Sequence, residues 1–282
     1  MVAEQVIQGK DGTNLHVRQF HCKEPKAQLI ILHGYLEHCM RYVEFAEFLN
    51  KSAISVTLFD MRGHGTSGGK KASLDKWDDY LTDVDAVRTT LLPNVDTFLL
   101  GHSNGGLLLL DYILQGSGTE HDLSGIKGVI LSNPYCEPSE TLANPIKKAV
   151  GKFFGAMVPD LSIPSALSAE VLTSCPIKQE EHRNDPLNQK NAKAGWAAEG
   201  LRAQARVQQI AGSKTIAFPV LYVIADADVV ASVKVNKKVS SELKAEDKTI
   251  LIREGEKHEV LNEVNREELF ETIANWILDK SA

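Results

Sequence analysis

Thr97-Phe98-Leu99-Leu100-Gly101-His102-Ser103-Asn104-Gly105-Gly106, running on into Leu107-Leu108-Leu109-Leu110, is the stretch that decides the fold. Residues of strand character arrive at a serine bracketed by glycines, and an apolar run to Leu114 leaves it with the length of a buried helix. A G-x-S-x-G pattern alone is weak, since glycine and serine are common enough for roughly one chain in ten to match by chance. The setting makes it specific, because strand, sharp turn and helix together lift the Ser103 hydroxyl above the edge of a sheet. Glycine at 101 and 105 avoids collision with the strand or helix, and the serine takes strained backbone geometry. The N–H of Asn104, at the helix N-terminus, points toward any oxyanion that develops at Ser103.

Outward from this turn, short apolar runs alternate with amphipathic segments. Strands are expected at Leu15–Phe20, Gln28–His33, Ile54–Asp60, Thr97–Gly101, Lys127–Ser132, Pro219–Ala225 and Lys248–Arg253. Helices are expected at Tyr42–Lys51, Ser73–Leu91, Asn104–Gln115, Val233–Lys244 and Arg266–Asp279; in the last, Leu269, Ile273, Trp276 and Ile277 share one face. The alternation predicts an α/β fold with a mostly parallel central sheet flanked by helices. A chain of 282 residues suits one such domain.

One segment breaks the pattern. From Pro138 to Gly195 prolines are frequent, no clear strand is present and helical stretches are short. This predicts a helical cap or lid insertion at 138–195 in a core formed by 1–137 and 196–282. Within it Ile146, Val150, Phe153, Phe154 and Met157 fall on one helical face, with Lys147, Lys148 and Lys152 nearby. That face either packs on the domain or forms an apolar lid meeting lipid or a membrane surface. Phe153, Phe154 and Met157 are its candidate substrate contacts.

A nucleophilic serine needs a base, an acid to orient the base, and oxyanion donors. His258 lies in Glu254-Gly255-Glu256-Lys257-His258-Glu259, after the last strand and before the C-terminal helix, and is the expected base. His102 adjoins Ser103 but points elsewhere in such a turn, and His33, His38 and His64 occupy other loops. The acid is expected after Val220–Ala225, where Asp226 and Asp228 compete; Asp228 is further into the turn and favoured, with Asp226 the alternative. The second oxyanion donor is expected from Ile30-Ile31-Leu32-His33-Gly34-Tyr35: Gly34 permits close approach to substrate and the Tyr35 N–H donates. Gly34 and His102 are therefore expected to line the substrate site.

Composition removes other classes. A formal charge of −6 without a dense basic run argues against a nucleic-acid partner. No stretch is long and apolar enough to span a bilayer. Met1–Gly12 lacks a basic start followed by an apolar core, so a cytoplasmic location is expected, peripheral at membranes if the cap contacts them. Cys22, Cys39, Cys136 and Cys175 have no ligand-like spacing and are expected as free thiols, with no metal. No organic cofactor is needed either, since serine, base and oxyanion donors complete the chemistry.

The chain resembles the monoacylglycerol lipase/lysophospholipase group of α/β-hydrolases from about Val6 to Trp276. Beyond the serine turn, the likeness rests on Leu32-His33-Gly34-x-x-Glu37-His38 with Arg41-Tyr42, on Asp60-x-Arg62-Gly63-His64-Gly65-x-Ser67-x-Gly69, and on Asn184-Asp185-Pro186-Leu187. The resemblance implies hydrolysis of a single-chain acyl ester, with Ser103, Asp228 and His258 on the group's triad and Tyr35 and Asn104 on its oxyanion positions. Asn104 stands where Met is frequent, Ala225 where Gly is usual, and Tyr35 where a small residue is usual, so Tyr35 is expected to narrow the pocket. Thioester, peptide and acyl-transfer chemistry use the same triad and stay open, as does a non-catalytic binding protein on this fold. Dehalogenase and epoxide hydrolase relatives carry Asp where Ser103 stands.

Overall fold

The computed structural model describes residues 1–116, 121–141, 157–165 and 167–281. Its sheet is built from β1 (Val2–Gln8), β2 (Asn14–Phe20), β3 (Ala27–Leu32), β4 (Ile54–Phe59), β5 (Thr97–His102), β6 (Ile126–Ser132), β7 (Val220–Ala225) and β8 (Lys248–Arg253). The order across the sheet is β1-β2-β4-β3-β5-β6-β7-β8, and β2 alone runs against the rest. β3 to β6 and β7 are almost wholly buried because helices cover both faces.

The helices are α1 (Val43–Lys51), α2 (Asp78–Arg88), α3 (Asn104–Gly116), α4 (Ala169–Leu172), α5 (Pro176–Asn184), α6 (Ala194–Ile210), α7 (Val233–Glu242) and α8 (Arg266–Lys280). Side chains of β3 divide the core by alternation. Leu29 and Ile31 join Phe45 of α1 and Phe270 of α8, whereas Ile30 and Leu32 join Leu81 of α2 and Leu108 of α3. All seven expected strands form, with ends shifted by a residue. β1 and α6 were not expected. The helix expected over Ser73–Leu91 is confined to α2.

Between β6 and α6 the described residues form α4, α5 and a ribbon pairing Ser162–Pro164 with Asn191–Lys193. They bond to loops at the C-terminal edge of the sheet: Leu172 O accepts from Glu259 N at 2.8 Å, Thr173 Oγ1 donates to Asn262 O at 2.8 Å, and His38 Nε2 lies 2.7 Å from Asp185 Oδ2. The last contact joins two of the motifs that carried the resemblance. Of the expected cap face, residues 146 to 154 lie outside the described residues.

Candidate active site

β5 ends at His102, and Ser103 takes φ +54° before α3 begins. A non-glycine residue there is strained and must be held by its surroundings. The Ser103 N–H donates to Ser132 O at 2.9 Å, and Ser103 O accepts from Leu107 N at 3.0 Å and Tyr135 N at 2.8 Å. A Cβ on Gly101 would stand 2.3 Å from Gly105 O, and one on Gly105 would stand 2.2 Å from Leu32 O. Strand β3, turn and α3 thus meet backbone to backbone, which lifts Ser103 and sets it beside the loop after β3. Gly34 is part of the same packing, since a Cβ there would lie 3.4 Å from Ser103 Cβ.

The loops after β7 and β8 bring the other groups. His258 Nε2 lies 2.7 Å from Ser103 Oγ, and His258 Nδ1 lies 2.7 Å from Asp228 Oδ2. Asp228 Oδ1 accepts from Val230 N at 2.7 Å and Ala231 N at 3.0 Å, so the carboxylate is anchored by its own loop. Asp226 is exposed and its Oδ1 accepts from Gly255 N at 2.6 Å, tying the β7 and β8 loops together away from His258. Of the two carboxylates left open by the sequence, Asp228 makes the imidazole contact.

Burial opposes the His258 imidazolium, yet the charge and hydrogen bond of Asp228, with Glu259 and Glu37 behind them, outweigh it and raise the group above its ordinary value. His102 has its ring 4.9 Å from that of His258, and burial with the neighbouring imidazole pulls it down to about 4. His102 lines the site as a neutral ring, with Nδ1 3.2 Å from Ser132 Oγ.

The loop after β3 is set by a peptide plane. Met61 N donates to His33 Nε2 at 3.0 Å, so the proton of His33 is on Nδ1, which donates to Gly34 O at 2.6 Å. Because a trans peptide directs its C=O and N–H oppositely, anchoring Gly34 O turns the Tyr35 N–H the other way. Neither the Tyr35 nor the Asn104 N–H donates to an acceptor among the described residues. Tyr35 lines the cavity at Ser103, and Asn104 follows the serine in the chain. Backbone N–H groups without a protein partner are open to an acceptor oxygen from water or a ligand.

The cavity at Ser103 is also lined by Gly34, Glu37, Arg41 and Glu259, and roofed by Leu167, Leu172, His182 and Gln189. Arg41 forks onto both oxygens of Glu259, at 2.6 and 2.7 Å, and donates to Glu37 Oε2 at 2.8 Å. Glu37 Oε1 also accepts from Gly34 N at 2.5 Å and Tyr42 OH at 2.7 Å. Burial alone would push Glu37 up; Arg41, with His102 and His33, reverses this and holds it at about 2.

Sequence reading did not assign Glu37, Arg41 and Glu259 to the site, although Glu37 and Arg41 stood in quoted motifs and Glu259 follows His258. Nor did it find Asn133, at φ +42°, whose Nδ2 donates to His258 O at 2.6 Å and whose Oδ1 accepts from Ala225 N at 2.7 Å. Asn133 holds the loops of acid and base in register, and its one sequence signal is its place at the end of β6. Phe153 and Phe154 lie outside the described residues. Met157, expected at the substrate, is 71% exposed and is not among the described residues lining this cavity. The Tyr35 residue, expected to narrow the pocket, lines this cavity, and its ring stacks on Trp196 with centroids 3.3 Å apart.

A family model described as serine aminopeptidase, S33, matches residues 23–265. The chain belongs to this hydrolase family. Within the S33 family it is similar to the monoacylglycerol lipase of Mycolicibacterium smegmatis, at 26% identity over 259 residues, 90% of this chain and 89% of the relative. An abhydrolase domain-containing protein of Dictyostelium discoideum is 27% identical over 272 residues, which is 96% of this chain; the chain spans 28% of that relative's length. The solved structure of Paleococcus ferrophilus monoacylglycerol lipase matches with TM-score 0.84 at 26% identity, covering 94% of this chain and 99% of the other. The chain is thus an α/β-hydrolase and a serine hydrolase similar to monoacylglycerol lipases.

Proposed function

We propose that this chain hydrolyses single-chain carboxylic esters of the monoacylglycerol or lysophospholipid type through an acyl-enzyme on Ser103. The observation carrying the chemistry is the hydrogen-bonded series Ser103–His258–Asp228 beside two unpaired N–H donors. The substrate class rests on the likeness to monoacylglycerol lipases over nine-tenths of the chain. His258 takes the Ser103 proton as Oγ attacks the ester carbonyl, and the Tyr35 and Asn104 N–H groups receive the oxyanion. The C–O bond to the alcohol then breaks, and His258 returns the proton to the leaving oxygen. Water, deprotonated by His258, attacks the acyl-enzyme and releases the fatty acid and Ser103.

The wall of Glu37, Arg41 and Glu259 beside Ser103 carries two carboxylates against one guanidinium. Such a wall suits a neutral hydroxylated leaving group and disfavours a phosphodiester. Monoacylglycerol is accordingly the better substrate within this reading. The reading also takes 138–195 as a cap on the core formed by 1–137 and 196–282, with Leu167, Leu172, His182 and Gln189 over the serine. The exposed run at Met157, Val158 and Leu161 supports transient contact of that cap with a lipid surface. A reducing, cytoplasmic location is part of the reading, in keeping with four free thiols.

The test is turnover of monoacylglycerols, lysophosphatidylcholine, p-nitrophenyl esters and aminoacyl amides by wild type and Ser103→Ala. Monoacylglycerols are expected to give the highest kcat/KM, and the variant to lose about 10³-fold or more. Equal slow rates in both proteins would sink the proposal, and preference for the amides would move it to peptidase chemistry.

A pH profile supplies a second check. The base must be neutral in the free enzyme, so kcat/KM falls as pH drops through the His258 value, which is raised above 6.5. Glu259→Gln, which removes one of the charges supporting the imidazolium, moves this acid limb to lower pH. A wild-type limb at or below 6.5 contradicts the electrostatic account.

A further inference from the structure

The Tyr35 side chain makes a set of contacts that the chemistry above does not use. Its ring lies face to face with Trp196 of α6, 7° from parallel, and meets the edge of His64 with centroids 5.3 Å apart. Its hydroxyl donates to Ala72 O at 2.7 Å and accepts from Lys193 N at 3.4 Å. Lys193 and Trp196 straddle the start of α6, where the chain returns from the segment between β6 and α6. The oxyanion loop is therefore fastened to α6 through an aromatic side chain rather than through its backbone alone.

The same helix is bolted to the other donor's support. Arg206 of α6 forks onto Asp111 of α3, with Nε 2.9 Å from Oδ1, and Asp111 is fully buried. Gln204 and Gln208 donate to Tyr135 O and Cys136 O, each at 2.9 Å, and Tyr135 N in turn bonds Ser103 O. Asn104, which opens α3, and Tyr35, which sits in the β3 loop, are thus both referenced to α6. An oxyanion pair works only while its two N–H groups converge on one point, and a displacement of about 1 Å can lower rate about 100-fold.

We propose that the Tyr35–Trp196 stack positions the oxyanion hole, making Trp196 a positioning residue for acyl transfer. This rests on the assignment of Tyr35 N–H as oxyanion donor. Trp196 touches no reacting atom in this scheme; it holds the Tyr35 ring, the ring holds the residue, and His33 sets the peptide's rotation. Stacked aromatic pairs contribute beyond the area they bury, and two planar rings leave little freedom for sliding along their normal.

The experiment compares Trp196→Leu and Trp196→Phe with wild type on a soluble p-nitrophenyl ester. It reads kcat and KM separately, the Ki of a trifluoromethyl ketone whose hydrate mimics the tetrahedral adduct, and the Ki of the product fatty acid. Trp196→Leu is expected to lower kcat between about 10- and 100-fold and to raise the ketone Ki by the same factor. KM and the fatty-acid Ki stay within about twofold, and Trp196→Phe, which keeps a ring in the stack, recovers most of the rate. A general loss of structure would weaken ketone and fatty acid together. If Trp196→Leu does not fold, Tyr35→Leu opens the same stack from the other side and takes its place. Unchanged kcat, or ketone and fatty-acid affinities lost in parallel, overturns the proposal. Absence of wild-type turnover and of Ser103 labelling by a fluorophosphonate would instead overturn the catalytic reading on which it stands.

Discussion

Asp228→Asn is expected to lower kcat by about 10⁴-fold, the scale seen when a triad carboxylate becomes an amide, while Asp226→Asn leaves it within about twofold. An asparagine at 228 can keep one oxygen on the Val230 and Ala231 N–H groups, which now hold Asp228 Oδ1. Its NH₂ then faces His258 Nδ1, where the carboxylate accepts at 2.7 Å. Nδ1 must become the acceptor, the proton moves to Nε2, and the imidazole donates toward Ser103 instead of taking its proton. Folding should be nearly unchanged, because the anchoring of the loop survives. Asp226 only accepts from Gly255 N in an exposed position, and an amide oxygen can do the same. Steady-state kinetics of the two variants, with thermal melts as control, decide the matter. Equal losses in both, or full activity of Asp228→Asn, would remove the assigned acid.

Gly105→Ala is expected to lower stability by about 3 kcal/mol and kcat by at least about 100-fold. The new Cβ would stand 2.2 Å from Leu32 O and 2.6 Å from His33 O, both backbone atoms of a fully buried strand and its exit. No rotamer can relieve that contact, so α3 must move off β3. α3 and the loop after β3 carry the Asn104 and Tyr35 N–H groups proposed to receive the oxyanion, and separating them is expected to disrupt that pair. By contrast Gly200→Ala, in α6, meets nothing closer than 3.9 Å and replaces a helix-interior glycine, which should leave stability equal or slightly higher. Melting temperatures and kcat for the pair test this; a Gly105→Ala protein with wild-type melting and rate would mean the close packing is not required.

Much of the scaffold was legible because its signals are local. A short apolar run bounded by turn residues, such as Leu29 to Leu32 or Val220 to Ile224, reads as a strand covered on both faces, and the glycines about Ser103 mark close backbone approach. Elements without such signals were missed. β1 is an edge strand whose residues are mostly exposed, so no alternation marks it. α6 buries Ala194, Gly195, Ala198, Gly200, Ala203 and Gln204 beside Trp196 and Val207, mostly small or polar residues that give only a weak apolar period over 17 residues of helix. Small residues there let α6 lie close against α3, a property of the partner surface and not of the segment itself.

The amino-acid sequence by itself determined the α/β class, the strand–serine–helix turn and the family of chemistry, since each depends on residues adjacent in the chain or on their order along it. Tertiary structure decided what depends on loops far apart in sequence. It chose Asp228 over Asp226 by which carboxylate reaches His258, 30 residues on. It enlisted Asn133 to hold His258, 125 residues away, and closed the Arg41–Glu259 ion pair across 218 residues. It also set the Tyr35 ring against Trp196. Such contacts follow from the convergence of strand ends at one edge of a twisted sheet, where distance along the chain ceases to matter and side-chain direction is set by packing.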